Sequence, residues 1–84
     1  GDRPVALRNF KRSGEVSVMD IVLNGKPQQV DSAWSLRELV ESLGLVGKRY
    51  AVEVNLSIVP RSRLAEHRLS PGDRVEIVHA IGGG

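Results

Sequence analysis

The sequence predicts a small α+β domain in which one helix packs across a mixed sheet of four to five strands. Three observations lead to this prediction: an Asn-Gly pair between two strand-like runs, one complete helix signature, and apolar residues that alternate in two later segments. The chain has 84 residues, which is enough for one domain with its own hydrophobic core.

The first predicted element is a hairpin around Asn24 and Gly25. Asn-Gly readily adopts the two positive φ angles of a type I′ turn, so residues 19–23 and 26–30 are expected to pair. Pro27 has no N–H to donate to a strand ladder, which places the second strand at an edge of the sheet.

Residues 34–45 carry the signals of one helix. Ser35 is the predicted N-cap, and Glu38 three residues later completes a capping box, with Trp34 packing just before the cap. Gly44 supplies the left-handed residue that ends the helix, and Leu45 is expected to close back on its last turn. The helix therefore spans about residues 36–43, and its apolar stripe consists of Leu36, Leu39, Val40 and Leu43.

Three further strands are predicted from alternation and turn residues. One covers residues 50–55, a short one after a turn at residues 55–57 ends at Pro60, and the last covers residues 74–80. In the last strand Val75 and Ile77 are expected to face one side, and Glu76 and Val78 the other. With the helix across one face, the core is expected to contain Ile21, Leu23, Leu36, Leu39, Val40, Leu43, Val52, Val54, Val75 and Ile77. This is the β-grasp, or ubiquitin-like, arrangement.

The charge distribution separates residues 1–18 from the rest of the chain. Residues 19–84 carry eight Lys and Arg and eight Asp and Glu, so the net charge of +2 belongs to the leader. An excess confined to such a leader does not indicate nucleic-acid binding. The leader lacks the apolar run of a secretory signal, and its Asp2 and Glu15 disfavour a transit peptide. We expect residues 1–18 to be a disordered added or upstream segment, with Met19 as the native start, residues 19–81 to be the domain, and residues 82–84 to be a flexible tail.

The sequence contains no pattern typical of an active site or a metal site. His67 and His79 lie twelve residues apart with no complementary ligand spacing, and Glu38 and Glu41 are expected on the solvated face of the helix. The chain has no cysteine, which excludes a disulfide and a thiolate nucleophile. Apolar runs reach only three residues, against about 18 needed to span a bilayer. We therefore expect a soluble protein without enzymatic activity, and the cytoplasm as its location.

The C-terminal tail is the one segment for which the sequence suggests a chemical role. Gly82, Gly83 and Gly84 have no side chains, so the tail fits a slot that admits only backbone. The terminal carboxylate is an anion at neutral pH and attacks the α-phosphate of ATP when an enzyme positions it. Glycines at a chain end are also typical of an idle end or a linker. Their position directly after the last strand favours a carrier whose cargo sits on Gly84.

Several segments resemble the ThiS family, the β-grasp sulfur carriers of thiamine biosynthesis. They are the Asn-Gly hairpin, NLSIVPRS at residues 55–62 and PGDRVEIVHAIGGG at residues 71–84, together with the absence of cysteine. The resemblance covers residues 19–84; the leader has no counterpart in the family, and the third glycine is a minor variation on its Gly-Gly end.

The resemblance implies three partners. A ThiF-like adenylating enzyme uses ATP to activate the Gly84 carboxylate, a cysteine desulfurase supplies sulfur, and a ThiG-like thiazole synthase takes the sulfur from the resulting thiocarboxylate. The carrier itself is expected to bind no cofactor or metal, no nucleic acid and no membrane.

These partners are expected to grip the domain beside its tail. The predicted docking residues are Glu76, Val78 and Ala80 on the outward side of the last strand, Ile81, and Arg61, with Arg63 as a further candidate for charge contacts. The structural alternatives are that Val78 and Ala80 pack beneath a loop, and that Arg61 and Arg63 are solvated loop residues. Two functional alternatives stay open: a MoaD-type sulfur carrier for molybdopterin synthesis, and a β-grasp interaction or RNA-binding module whose tail is idle.

Overall fold

The structure, a computed structural model, describes residues 17–79. The elements follow in the order β1 (Val18–Leu23), β2 (Lys26–Asp31), α1 (Leu36–Ser42), β3 (Tyr50–Val54), β4 (Ser57–Val59), a 3-10 turn (Arg61–Arg63) and β5 (Arg74–His79). The five strands form one sheet in the order β2-β1-β5-β3-β4. The central strand β5 is parallel to β1 and antiparallel to β3, so the predicted mixed sheet with one helix is confirmed.

The predicted first hairpin is confirmed. Asn24 and Gly25 have φ angles of 50° and 83°, as a type I′ turn requires. Val22 pairs with Pro27, and β2 lies at the edge of the sheet, where a residue without an N–H is tolerated. The strand β1 begins at Val18, one residue before the start expected for the domain.

The helix begins at the predicted capping box. The Ser35 N–H donates to the Glu38 carboxylate at 2.8 Å. The next two N–H groups of the helix, those of Leu36 and Arg37, donate to the carbonyls of His67 (2.9 Å) and Leu64 (3.2 Å). The first N–H groups of a helix have no acceptor within the helix, so these two bonds satisfy them. The same bonds hold the segment after the 3-10 turn against the start of α1.

The end of α1 corrects one prediction. Gly44 has a φ of 74°, the Gly44 N–H donates to the Glu41 carbonyl (3.0 Å), and the Leu45 N–H donates to the Val40 carbonyl (3.2 Å), which together form a Schellman ending. The chain turns back at this point and buries Leu45. Leu43 was predicted to be a core residue on the apolar stripe, and that prediction is wrong. Leu43 is the C-cap residue of the helix and is 43% exposed.

The core lies between α1 and one face of the sheet. Its buried apolar residues are Met19, Ile21, Val30, Leu36, Leu39, Val40, Leu45, Val52, Val54, Val59, Leu64, Leu69, Val75 and Ile77. Leu64 and Leu69 come from the irregular segment before β5, and they close the core beside the helix. Leu23 packs at the core's margin and is only partly buried, as are Trp34 and Tyr50.

The second hairpin differs from the prediction in its boundaries. The expected turn covered residues 55–57 and the expected strand began at Ile58, whereas β3 and β4 are joined by two residues only, Asn55 and Leu56. Both have positive φ angles, 51° and 73°. Because two such residues complete a type I′ turn, Ser57 already pairs with Val54.

Candidate docking face and C-terminal tail

The tail follows the central strand of the sheet. His79, the last residue of β5, pairs with Tyr50 at the start of β3. The predicted docking residues Ala80 and Ile81 and the tail glycines Gly82, Gly83 and Gly84 lie outside the described residues, so the predictions for them stay predictions. The described chain ends with His79 at the centre of the sheet, beside Tyr50 at the start of β3.

The two sides of β5 alternate as the sequence predicts. Val75 and Ile77 are buried beneath α1, whereas Glu76 and Val78 face away from the helix. Val78 is 70% exposed, which rules out its burial beneath a loop of the described chain. Two of the predicted docking residues therefore lie on the open face of the sheet, on the strand that leads into the tail.

The open face carries a small apolar patch, which we define as Ala51, Ile58 and Val78. Ala51 pairs directly with Val78, and Ile58 on β4 pairs with Glu53, two residues along β3 from Ala51. Side chains two residues apart on a strand share a face, so all three lie on the open face of three neighbouring strands. Ile58 is 71% exposed. Large apolar side chains grouped on an exposed face are typical of a protein-interaction site.

Two carboxylates lie directly beside this apolar patch. Glu53 and Glu76 pair across β3 and β5, and like charges in directly opposed positions disfavour the sheet. Among residues 17–79, no Lys or Arg lies within 4.0 Å of either carboxylate in an ion pair. The open face therefore presents apolar surface together with negative charge, which suits a partner surface that combines apolar and basic residues.

Arg61 lies elsewhere than the other predicted docking residues. Its guanidinium stacks over the Tyr50 ring, 4.3 Å from the centroid, and its Nη2 donates to the Lys48 carbonyl at 2.9 Å. Tyr50 shares the helix-facing side of β3 with Val52, because alternate residues of a strand face the same way. Arg61 is thus near the end of β5 from which the tail leaves, but on the helix side of the sheet rather than on the open face.

Arg61 also borders a groove near the start of β3. The groove measures about 410 Å³ and is lined by Arg37, Val46, Gly47, Tyr50, Arg61, Ser62 and Leu64. Arg37 is paired with Glu41 at 3.1 Å, and Arg63, the further candidate for charge contacts, pairs with Glu66 at 3.6 Å. The stacking and hydrogen bond of Arg61 fix the loop before β3, so this side chain has a structural role whether or not it contacts a partner.

No metal-binding cluster of side chains is present among the described residues. Residues 17–79 contain no cluster of three His, Cys, Asp or Glu residues that could hold a metal ion. Glu38 caps α1 and Glu41 binds Arg37, which accounts for both carboxylates of the helix. Within the same range, no helix has the length and apolarity needed to cross a membrane.

Sequence reasoning missed two residues of the apolar patch, Ala51 and Ile58. The alternation of β3 already placed Ala51 opposite Val52 and Val54, but without the strand order nothing showed that it would pair with Val78. Ile58 belongs to a three-residue strand, which is too short for alternation to indicate a face. The sequence did contain one indication that an apolar side chain would be exposed here. Ile58 and Val59 are adjacent in a strand, so only one of them can face the core.

Comparisons with known proteins place these features in a family. The ThiS family model matches residues 21–84. A thiazole synthase from Paramagnetospirillum magneticum is 39% identical over 66 residues, which are 79% of this chain but 20% of that protein. The chain thus spans about a fifth of the length of this relative.

Two further relatives are matched over their whole length. The sulfur carrier protein ThiS of Escherichia coli K12 is 32% identical over 66 residues, 79% of this chain and 100% of that protein. The crystal structure of the thiamine biosynthesis protein ThiS from Geobacter metallireducens is 30% identical and superposes with a TM-score of 0.66, covering 79% of this chain and all of that one. The predicted β-grasp fold is thereby confirmed, and the chain belongs to the ThiS family.

Proposed function

We propose that this chain carries sulfur for thiazole formation in thiamine biosynthesis, with the carboxylate of Gly84 as the site of attachment. The observation that carries the proposal is the extent of the family match, which includes Gly82, Gly83 and Gly84. The names of the relatives support it, since one is a sulfur carrier matched over its whole length and one is a thiazole synthase.

The proposed chemistry converts the Gly84 carboxylate to a thiocarboxylate in three steps. A ThiF-like enzyme joins the Gly84 carboxylate to the α-phosphate of ATP, which forms an acyl-adenylate and releases pyrophosphate. The terminal sulfur of a cysteine-desulfurase persulfide then displaces AMP, and a thiol reduces the resulting acyl disulfide to leave the thiocarboxylate. The thiocarboxylate donates its sulfur to a ThiG-like thiazole synthase. In this cycle the chain is a substrate of enzymes and not itself an enzyme, and the cytoplasm is the location we expect for it.

The geometry of β5 supports this role. A carrier must present its terminus at a distance from its own surface while the domain is held by the partner. The strand β5 is bonded to β1 and to β3, so the tail follows the central strand of the sheet and not an edge strand. The apolar patch lies on the same strand, which lets a partner bind the domain and receive the tail at once.

Intact mass spectrometry tests the carrier function directly. The chain is incubated with ATP, a ThiF-like enzyme and a sulfur donor, and we expect a gain equal to the mass difference between sulfur and oxygen. The gain should be absent without ATP and absent in a chain that lacks Gly84. An unchanged mass with an adenylating enzyme proven active on its own carrier would contradict the proposal, and would favour an interaction module with an idle tail.

The docking role of the apolar patch is tested by Val78→Asp. Because Val78 is exposed, we expect the free energy of unfolding to change by less than about 0.5 kcal/mol, while the apparent affinity for the adenylating enzyme falls by about tenfold. Asp beside Glu76 and Glu53 adds negative charge, so Val78→Ser serves as the matched uncharged variant. Unfolding of the variant, or adenylation at the wild-type rate at low carrier concentration, would contradict this assignment.

A further inference from the structure

Leu56 bears two separate energetic costs: the two-residue turn imposes a positive φ on it, and nothing in the described fold requires a leucine at this position. Its φ is 73°, a left-handed conformation that is rare for a residue with a bulky side chain. Its side chain is 89% exposed, more than any other large apolar residue of the described chain. An exposed leucine alone is ordinary, but backbone strain at a residue that contributes no core contact is typical of a functional position.

The turn holds Leu56 rigidly. The Asn55 N–H donates to the Arg74 carbonyl at 2.8 Å, and the Arg74 N–H donates to the Asn55 Oδ1 at 3.0 Å. The Asn55 Nδ2 donates to the Asp73 carboxylate at 3.2 Å. These bonds fix the residue next to Leu56 onto the start of β5. A side chain presented on a fixed backbone loses little entropy when it is buried by a partner.

The position of Leu56 extends the surface already described. Ile58 of the apolar patch is two residues further along the chain, while Tyr50, beside the root of the tail, lies at the other end of β3. Five residues of strand span about 13 Å between those ends. A partner that contacts Leu56, the apolar patch and the tail must therefore cover the full length of β3.

We propose that Leu56 is an anchor that inserts into an apolar pocket of the thiazole synthase, an inference that rests on the proposed function. The synthase is the partner to which the comparisons point, because a thiazole synthase contains a region similar to this chain as a fifth of its own length. In such a protein the two parts belong to one molecule, so each is present near the other at a high effective concentration. The anchor supplies affinity away from the tail, so the tail remains available for chemistry.

The experiment measures the affinity of the full chain for a ThiG-like thiazole synthase by isothermal titration calorimetry, beside its stability in urea. Leu56→Asn and Leu56→Gly remove the apolar side chain and accept the positive φ without strain. We expect both to weaken binding by about 10- to 100-fold and to unfold at a higher urea concentration than the wild type. Asn leaves the unfolded chain less free than Gly does, so agreement of the two variants excludes added flexibility as the cause.

Two control variants separate side-chain chemistry from backbone strain. Leu56→Met keeps an apolar side chain, and we expect its affinity to stay within about threefold of the wild type. Gly25→Ala introduces a strained residue into the other hairpin, and it should bind the synthase as the wild type does. An anchor residue predicts that the substitutions Leu56→Asn and Leu56→Gly increase the stability of the domain and decrease its affinity for the synthase.

Several outcomes would overturn the inference. Wild-type affinity of Leu56→Asn for the synthase would do so, as would an equal loss for Leu56→Met. A loss of affinity confined to the adenylating enzyme, or a change in the oligomeric state of the free chain, would assign Leu56 to a different occupant. The mass measurement on the wild-type chain is made separately, so that failure of the carrier function is distinguished from failure of the anchor.

Discussion

The two hairpins of the sheet use the same turn with different second residues. Asn24 and Gly25 join β1 to β2, and Asn55 and Leu56 join β3 to β4; all four residues have positive φ. In both turns the asparagine binds the central strand. The Asn24 side chain bonds both main-chain groups of Ile77 (2.8 and 3.3 Å), and the Asn55 side chain bonds the N–H of Arg74 (3.0 Å).

The two turns show that the fold uses asparagine at the first turn position in both hairpins, whereas the second position accepts either glycine or leucine. An asparagine at the first position tolerates the left-handed conformation and clamps β5 from the side. At the second position nothing lies within 4 Å of a Cβ placed on Gly25, so glycine is there for its backbone alone. Leu56 occupies the equivalent site without that backbone freedom, which is why its side chain calls for an explanation outside the domain.

Among substitutions in the two turns, those of the asparagines are expected to change the free energy of unfolding most. Asn24→Ala removes two partly buried hydrogen bonds and puts alanine at positive φ, and we expect the free energy of unfolding to fall by about 3 kcal/mol. Asn55→Ala removes bonds that are exposed, so we expect a loss of about 1.5 kcal/mol. Urea denaturation of both variants measures the difference. Equal losses would show that the two clamps contribute alike.

A smaller effect is expected at the second turn position. Gly25→Ala strains the first hairpin, and we expect a loss of about 1 kcal/mol, of the sign opposite to that expected for Leu56→Gly. Thermal unfolding of the two single variants and of the double variant checks this, since turns with no shared contact should contribute additively. Stability unchanged in Gly25→Ala would mean that the first turn relaxes, and the strain assigned to Leu56 would then need direct proof.

Most of the fold is predictable because its signals are local. The Asn-Gly turn, the capping box of Ser35 and Glu38, and the glycine that ends α1 each fix backbone geometry within a few residues. The alternation of β5 placed Val78 on the open face correctly for the same reason. Local chemistry also failed at one end of the helix: Leu43 fits the apolar stripe, but the Schellman ending replaces it with Leu45 in the core.

The candidate site is less predictable because it depends on strands brought together from distant parts of the chain. The apolar patch joins Val78 to Ala51 and Ile58 through the strand order, which no local pattern contains. Arg61 was predicted as a docking residue because of its charge, yet its stacking on Tyr50 places it on the helix side of the sheet. The strain at Leu56 was hidden because leucine gives no sign of a left-handed turn.

The bonding of β5 on both sides has a mechanical consequence. A force applied to the chain beyond His79 acts along β5. The hydrogen bonds to β3 run perpendicular to the strand and those to β1 are slanted, so the load acts in shear, mainly on the five residue pairs with β3 and less on the two pairs with β1. Bonds loaded in shear are not opened one at a time, so we expect a pull along β5 to leave the domain folded.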